Sequence, residues 1–222
     1  LAPRNSLAEV EKELREVASI LVELGMAEAS GGNLSVKLDL DEFPKPTREL
    51  EIPYYEGPEM TLLITPSGSR MRDLSRGRGN FLLIKAKKGK LLVHGRGKPT
   101  SELPTHLLCH SSMEHEALIH AHPKEVIALS IIDPEKIPKL VEILPEMRYY
   151  FPRGIDVIEG DPGSIDLARR TSERIEKYCV VWRGHGAVTS GKDVWEALDR
   201  MELIEKASYL MRITSDFKGQ PL

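Results

Sequence analysis

The run Ala117-Leu-Ile-His-Ala-His-Pro123 constrains this chain more than any other stretch. In extended backbone, alternate side chains leave on the same face. His120 and His122 therefore converge at the end of a strand, while Ala121 points into the layer behind. Two neutral imidazoles at that spacing suit one divalent cation, and zinc best of all. Shortly upstream, Lys98-Pro-Thr-Ser-Glu-Leu-Pro-Thr-His-Leu107 sets a lone carboxylate, Glu102, ahead of the pair.

A catalytic zinc ordinarily takes three protein ligands and keeps one position open. His185 is the best third donor, because the β-rich run Cys179-Val-Val-Trp-Arg-Gly-His-Gly-Ala-Val-Thr189 breaks at two glycines around it. Glycine gives the backbone room to place a histidine at a strand end. A His-x-His pair also fits surface or core histidines. A rival pair, His106 and His110, lies four residues apart on what reads as one helix face. It lacks an equally placed third partner, so its members line the site, support it, or are ligands themselves.

At 222 residues, one domain spanning 1–222 with a sizeable core is expected. A formal charge of −3, with basic and acidic residues interleaved, gives no stripe for nucleic acid. Cys109 and Cys179 sit among apolar neighbours and read as buried free thiols in a reducing compartment. No apolar run approaches the length of a membrane span, and the first twenty-five residues form an amphipathic charged pattern unlike a signal peptide. The expectation is a cytoplasmic protein.

The periodicity predicts helices from Ser6 to Gly25, 103–115, 124–131, 137–143, 165–177 and 194–216. It predicts strands at 34–38, 60–66, 117–122, 154–158 and 179–182, and a hairpin of 81–86 with 90–93. The proline-rich, acidic stretch Asp39 to Pro58 reads as a loop or insertion. Hairpins with segregated helices argue for an α/β fold with a mixed, mainly antiparallel sheet layered by helices.

Asn5, Asn33, Asn80 and Gln220 are the only side-chain amides, against 29% charged residues. That balance is the hyperthermophile direction, where ion pairs become cheaper as charge hydration weakens. Asn33, kept after Gly31-Gly32, is either a turn residue or a hydrogen-bonding group with a duty. The small residues of Gly31-Gly32-Asn33, Ser67-Gly68-Ser69 and Thr100-Ser101 offer hydroxyls, an amide and backbone N–H groups, the parts of an anion nest.

Five ordered pieces carry a resemblance: Ser30-Gly-Gly-Asn-Leu-Ser-Val36, Leu63-Ile-Thr-Pro-Ser-Gly-Ser69, Pro99-Thr-Ser-Glu-Leu-Pro104, His120-Ala-His-Pro123 and Gly184-His-Gly-Ala187. Together they resemble the class II aldolase and adducin-head family over nearly the whole chain. The wording around Glu102, with Glu146 six residues before Pro152, is most similar to its rhamnulose 1-phosphate branch. The resemblance implies a single-domain α/β/α sandwich, a homotetramer, a Zn2+ held by His120, His122 and His185, and a sugar phosphate as substrate. It assigns the phosphate of a dihydroxyacetone-phosphate unit to Gly32, Asn33, Ser67, Gly68, Thr100 and Ser101. Another divalent metal could serve at such an imidazole site.

Cleaving the carbon–carbon bond of a ketose phosphate leaves a carbanion beside a carbonyl, and a Lewis-acid zinc spreads that charge as an enediolate. The implied reaction is reversible cleavage of L-rhamnulose 1-phosphate to dihydroxyacetone phosphate and L-lactaldehyde. Glu102 would transfer the proton at the enediolate carbon, provided burial raises its pKa against the pull of the cation. Glu146, by resemblance, would handle the hydroxyl proton at the aldehyde end. Fuculose-phosphate aldolase, ribulose-5-phosphate 4-epimerase, methylthioribulose-1-phosphate dehydratase and an adducin-like interaction module are the rivals on the same scaffold.

Overall fold

Ser6 and Glu9 satisfy each other's backbone N–H groups in a capping box that starts α1 (Leu7–Glu23). The computed structural model describes residues 6–216. After α1 the chain forms β1 (Asn33–Leu38), β2 (Arg48–Ile52), β3 (Met60–Ile64), α2 (Met71–Ser75), β4 (Leu82–Lys87) and β5 (Gly89–His94). Then follow α3 (Leu103–Ser112), β6 (Ala117–Ala121), α4 (Lys124–Ile132), α5 (Pro145–Tyr150) and β7 (Asp156–Ile158). The order closes with α6 (Ile165–Ser172), β8 (Cys179–Trp182), β9 (Gly186–Gly191) and α7 (Val194–Asp216).

The strands form one nine-stranded sheet in the order β2-β5-β4-β3-β1-β6-β9-β8-β7. Every neighbouring pair is antiparallel except β7 with β8. Helices cover both faces, as expected of an α/β/α sandwich. On one face Leu14, Val17 and Leu21 of α1 join Leu34, Ile119 and Val181 of the sheet and Met201 and Ile204 of α7. On the other, Leu103 and Leu107 of α3 pack on Leu62, Ile64, Leu82 and Ile84. Farther along that face, Leu167 of α6 packs on Leu118, Val180 and Trp182. No described helix is long and apolar enough to cross a membrane.

Four local expectations need correction. The stretch 39–58 is not all loop, because Arg48–Ile52 pairs with β5 as an edge strand. Its outward charges, one of them in the Glu49–Lys90 ion pair at 2.8 Å, protect the edge. The helix expected at 137–143 is two short 3-10 turns, Pro134–Lys136 and Pro138–Glu142, because each proline removes a backbone donor. Helix α6 stops at Ser172, and residues 175–177 form a separate 3-10 turn. Strand β9 is an addition. It is buried along its whole length on both faces, so its small residues show no alternation.

The register places the site. Asn33 lies opposite His120, Ala121 opposite Ala187, and Trp182 opposite Gly186. Asn33 and Ser35 therefore share a face with Leu118 and His120, the face that α3 covers.

Candidate metal centre and active-site cleft

Three elements bring the histidines together. His120 is the penultimate residue of the wholly buried β6, His122 follows the strand, and His185 lies in the turn between β8 and β9. One ligand nitrogen from each lies within 4.8 Å of the others. Glycines allow the approach: a Cβ on Gly186 would stand 2.4 Å from the Ala121 carbonyl oxygen, and one on Gly31 would stand 2.7 Å from the His122 ring.

The tautomers follow from the partners. Nδ1 of His120 donates to the Ala187 carbonyl at 3.0 Å, and Nδ1 of His122 donates to Glu28 Oε1 at 2.7 Å. Each neutral ring then carries its lone pair on Nε2. Those two lone pairs face each other at 3.2 Å. Two acceptors that close repel unless a proton or a metal cation lies between them. Nitrogens bound to one tetrahedral zinc lie roughly 3.3 Å apart. Nε2 of His185 is buried with no hydrogen-bond partner, a third ring nitrogen available to a cation. The donor set fits a divalent metal, and the Glu28–His122 bond is the outer-shell carboxylate such a ligand usually has.

Glu102, just before α3, completes the corner. Its two carboxylate oxygens lie 3.6 Å from Nε2 of His120 and of His185, and it accepts from Asn33 Nδ2 at 2.8 Å. Burial pushes its carboxyl up, but the charge of His120, the nearby His185 ring and the bond from Asn33 outweigh that and bring it down to about 2. Burial takes His120 the other way, down to about 4. At neutral pH Glu102 is thus an anion beside a neutral imidazole, where the sequence argument asked for a raised carboxyl.

The surrounding cleft has a volume of about 230 Å³. Ser30, Gly31, Gly32, Asn33, Ser67, Gly68, Thr100, Ser101, Glu102, His120, His122, Pro162 and His185 line it, with Pro66. The N–H groups of Ser67 and Thr100 are already given to the Lys98 and Thr65 carbonyls. A second hollow of about 270 Å³ shares Pro66, Ser67 and Gly68 with the cleft and carries Arg70, Arg78 and Arg96 against one acid, Asp73. Guanidinium groups there make the potential at this end of the cleft positive.

Residues 12–211 match the family described as Class II Aldolase and Adducin N-terminal domain. The chain belongs to that family. A rhamnulose-1-phosphate aldolase of Bacteroides thetaiotaomicron is 29% identical, the match covering 100% of this chain and 91% of that one. An L-fuculose phosphate aldolase of Methanococcus maripaludis is 31% identical over 71% of this chain and 82% of its own. The crystal structure of a sugar-phosphate aldolase from Thermotoga maritima superposes with a TM-score of 0.87 at 40% identity, covering 96% of this chain and 98% of that one. The chain is therefore a class II aldolase, a lyase by reaction type.

His120, His122, His185, the six residues assigned to the phosphate and Glu102 all line this cleft, whereas Ser69 lines the second hollow. Glu146 does not line the cleft. It is exposed in the first turn of α5, whose Met147 packs into the α1–α7 face of the sheet, so the single chain offers it no place in the cleft. His106 and His110 are not among the three converging histidines; both are buried behind Asn33 and Ser35. Sequence reasoning missed Glu28, which belongs to no motif and meets His122 only through the fold. Pro162 and the three arginines were missed for the same reason.

Proposed function

We propose that this class II aldolase cleaves a ketose 1-phosphate, with L-rhamnulose 1-phosphate the first choice, to dihydroxyacetone phosphate and L-lactaldehyde. The observation that carries the reading is the meeting of three imidazole nitrogens with the Glu102 carboxylate in one cleft. His120, His122 and His185 would hold the metal, and zinc suits their all-imidazole set. When bound, the cation supplies positive charge that offsets the negative charge growing on the ketone and adjacent hydroxyl oxygens as the carbon–carbon bond breaks.

The chain's own groups do the rest. In the synthetic direction the Glu102 carboxylate takes a proton from the reacting carbon of dihydroxyacetone phosphate; in cleavage it returns that proton to the same carbon. Gly68 and Ser101 keep their N–H groups for the phosphate, and Ser67, Thr100 and Ser101 add hydroxyls beside the arginine-lined hollow. Gly32 lets the backbone approach closely, and Asn33 stands at the boundary between the phosphate and the carboxylate.

Relatives named for rhamnulose and for fuculose phosphates share the dihydroxyacetone-phosphate half, which is the half these residues form. The rhamnulose reading rests on the Bacteroides relative, whose match spans all of this chain. A homotetramer belongs to the same proposal. So does a hot habitat, supported by few amides and by linked ion pairs such as Lys85–Glu59–Lys87 and Arg174–Asp156–Lys177.

The test is a coupled assay for dihydroxyacetone phosphate released from L-rhamnulose 1-phosphate and L-fuculose 1-phosphate, before and after chelation. Release fastest from the rhamnulose ester, lost on chelation and restored by Zn2+, is the expected result. No release from either by the metal-loaded protein moves the assignment to the epimerase or dehydratase chemistry of the scaffold.

A further inference from the structure

The polar groups behind Glu102 continue past the cleft into the core. Glu102, Asn33, Ser35, His106 and His110 are each no more than 6% exposed. They form one hydrogen-bonded line. Asn33 Nδ2 donates to Glu102 Oε2 at 2.8 Å; Asn33 Oδ1 meets His106 Nε2; Ser35 Oγ lies 2.6 Å from His106 Nδ1 and 2.8 Å from His110 Nε2.

The direction of every bond follows from its first member. An ionised carboxylate only accepts, so the amide must turn its NH2 toward Glu102 and its oxygen toward the helix. That oxygen needs a donor, which makes His106 the Nε2-protonated tautomer. The bare Nδ1 takes the Ser35 proton, and the Ser35 oxygen accepts from His110. Burial, the largest influence on His106, favours the neutral ring this pattern needs.

A carboxamide does not pass protons along at neutral pH, so this line is not a proton wire out of the site. It is a brace. We propose that Asn33 and His106 are a positioning pair: His106 fixes the amide orientation of Asn33, and Asn33 in turn holds Glu102 at the angle from which it exchanges protons with substrate. This rests on the reading of Glu102 as the proton-transfer group. It also gives Asn33 a duty apart from phosphate binding, since its oxygen and one N–H are already engaged within the protein.

Ring-nitrogen NMR of the full chain labelled with 15N-histidine reads the brace without any turnover. The expected spectrum shows His106 neutral and protonated on Nε2 at pH 7, with and without Zn2+; an Nδ1-protonated ring or an imidazolium would overturn the proposal. Two substitutions then separate positioning from packing. His106→Gln keeps a donor for Asn33 Oδ1, whereas His106→Leu fills similar space with none.

The readout is exchange of the reacting C–H of dihydroxyacetone phosphate in D2O, which needs no aldehyde partner. His106→Leu should lower that exchange about 100-fold, with bound zinc unchanged and KM within about threefold. His106→Gln should recover most of the rate. Equal losses in both variants would make His106 a packing residue and overturn the pair. If the wild-type protein exchanges nothing yet His106 is Nε2-protonated and, in uniformly 15N-labelled protein, the Asn33 side-chain amide resonances move in His106→Leu, the brace stands and the aldolase reading fails.

Discussion

The inner wall and the rim of the cleft are built in opposite ways. On the inner wall His120 is 1% exposed and Glu102 and Asn33 are 6% exposed, each tied to the scaffold by hydrogen bonds. On the rim Ser67, Gly68 and Ser101 are exposed, and turns carry them rather than strands. Metal chelation and proton transfer depend on sub-ångström placement, and the residues proposed for them sit on strand register and buried bonds. A phosphate is recognised by charge and by several donors at once, each of them replaceable. The contrast teaches that damage on the wall should remove chemistry, while damage on the rim should weaken binding.

The largest effects are expected on the wall. His120→Ala should leave the protein without stoichiometric zinc and with no measurable aldol cleavage. Glu102→Gln should retain the metal and still lose about 10²–10⁴-fold in kcat, the range for a positioned acid–base group. Metal content and turnover measured on the same samples decide this. Full turnover in Glu102→Gln would remove its assigned role.

Acid should find the wall next. Burial takes His106 down to about 3 and His110 well below the ordinary histidine value, so the folded metal-free chain keeps both rings neutral. The unfolded chain protonates them near pH 6.5. Their neutral burial therefore costs nothing above that pH, and stability is lost as pH falls from about 6.5 toward 3. Glu102, depressed to about 2, adds a loss in the same direction below about 4.5. Denaturant midpoints of the chelated protein at pH 7, 5.5 and 4 should fall in that order. A flat profile would mean that the histidines behind the wall are hydrated.

This wall was the most legible part of the chain. His120 and His122 alternate with Ala117, Ile119 and Ala121, and the glycines around His185 mark a tight turn, so local pattern alone predicts the convergence. The mixed sheet was legible wherever one face is apolar. Strand β9 was hidden by burial on both sides, because alternation is visible only when the two faces differ. Strand β2 does alternate Glu49 and Glu51 with Leu50 and Ile52, but the proline-rich acidic stretch around it hid it. Glu28 could not be foreseen: it joins His122 across 94 residues of sequence and sits in a loop with no apolar period.

Glu28 therefore tests the join between the two regions. Its side chain is 65% exposed but holds the Nδ1 proton of His122, whose own side chain is only 15% exposed. Loss of such an outer-shell carboxylate typically costs 10–100-fold in metal affinity. Solvent competes for this bond, so Glu28→Gln should fall at the low end, about tenfold. Competition with a zinc indicator reads it directly, and unchanged affinity would show that water orients His122 equally well.

The smallest effect is expected on the rim, at Ser67→Ala. The Ser67 backbone N–H is already bonded to the Lys98 carbonyl at 2.8 Å, so the turn does not depend on the hydroxyl that the change removes. One hydrogen bond to a charged oxygen is worth about 1.5–3 kcal/mol at most, and the N–H groups of Gly68 and Ser101 remain beside it. Exposure lets water replace part of what is lost. KM for the sugar phosphate should rise about three- to tenfold while kcat and bound zinc stay as they were. If kcat instead falls as far as KM rises, the Ser67 turn shapes the inner wall, and the division between a rigid chemical wall and an adaptable anion rim does not hold.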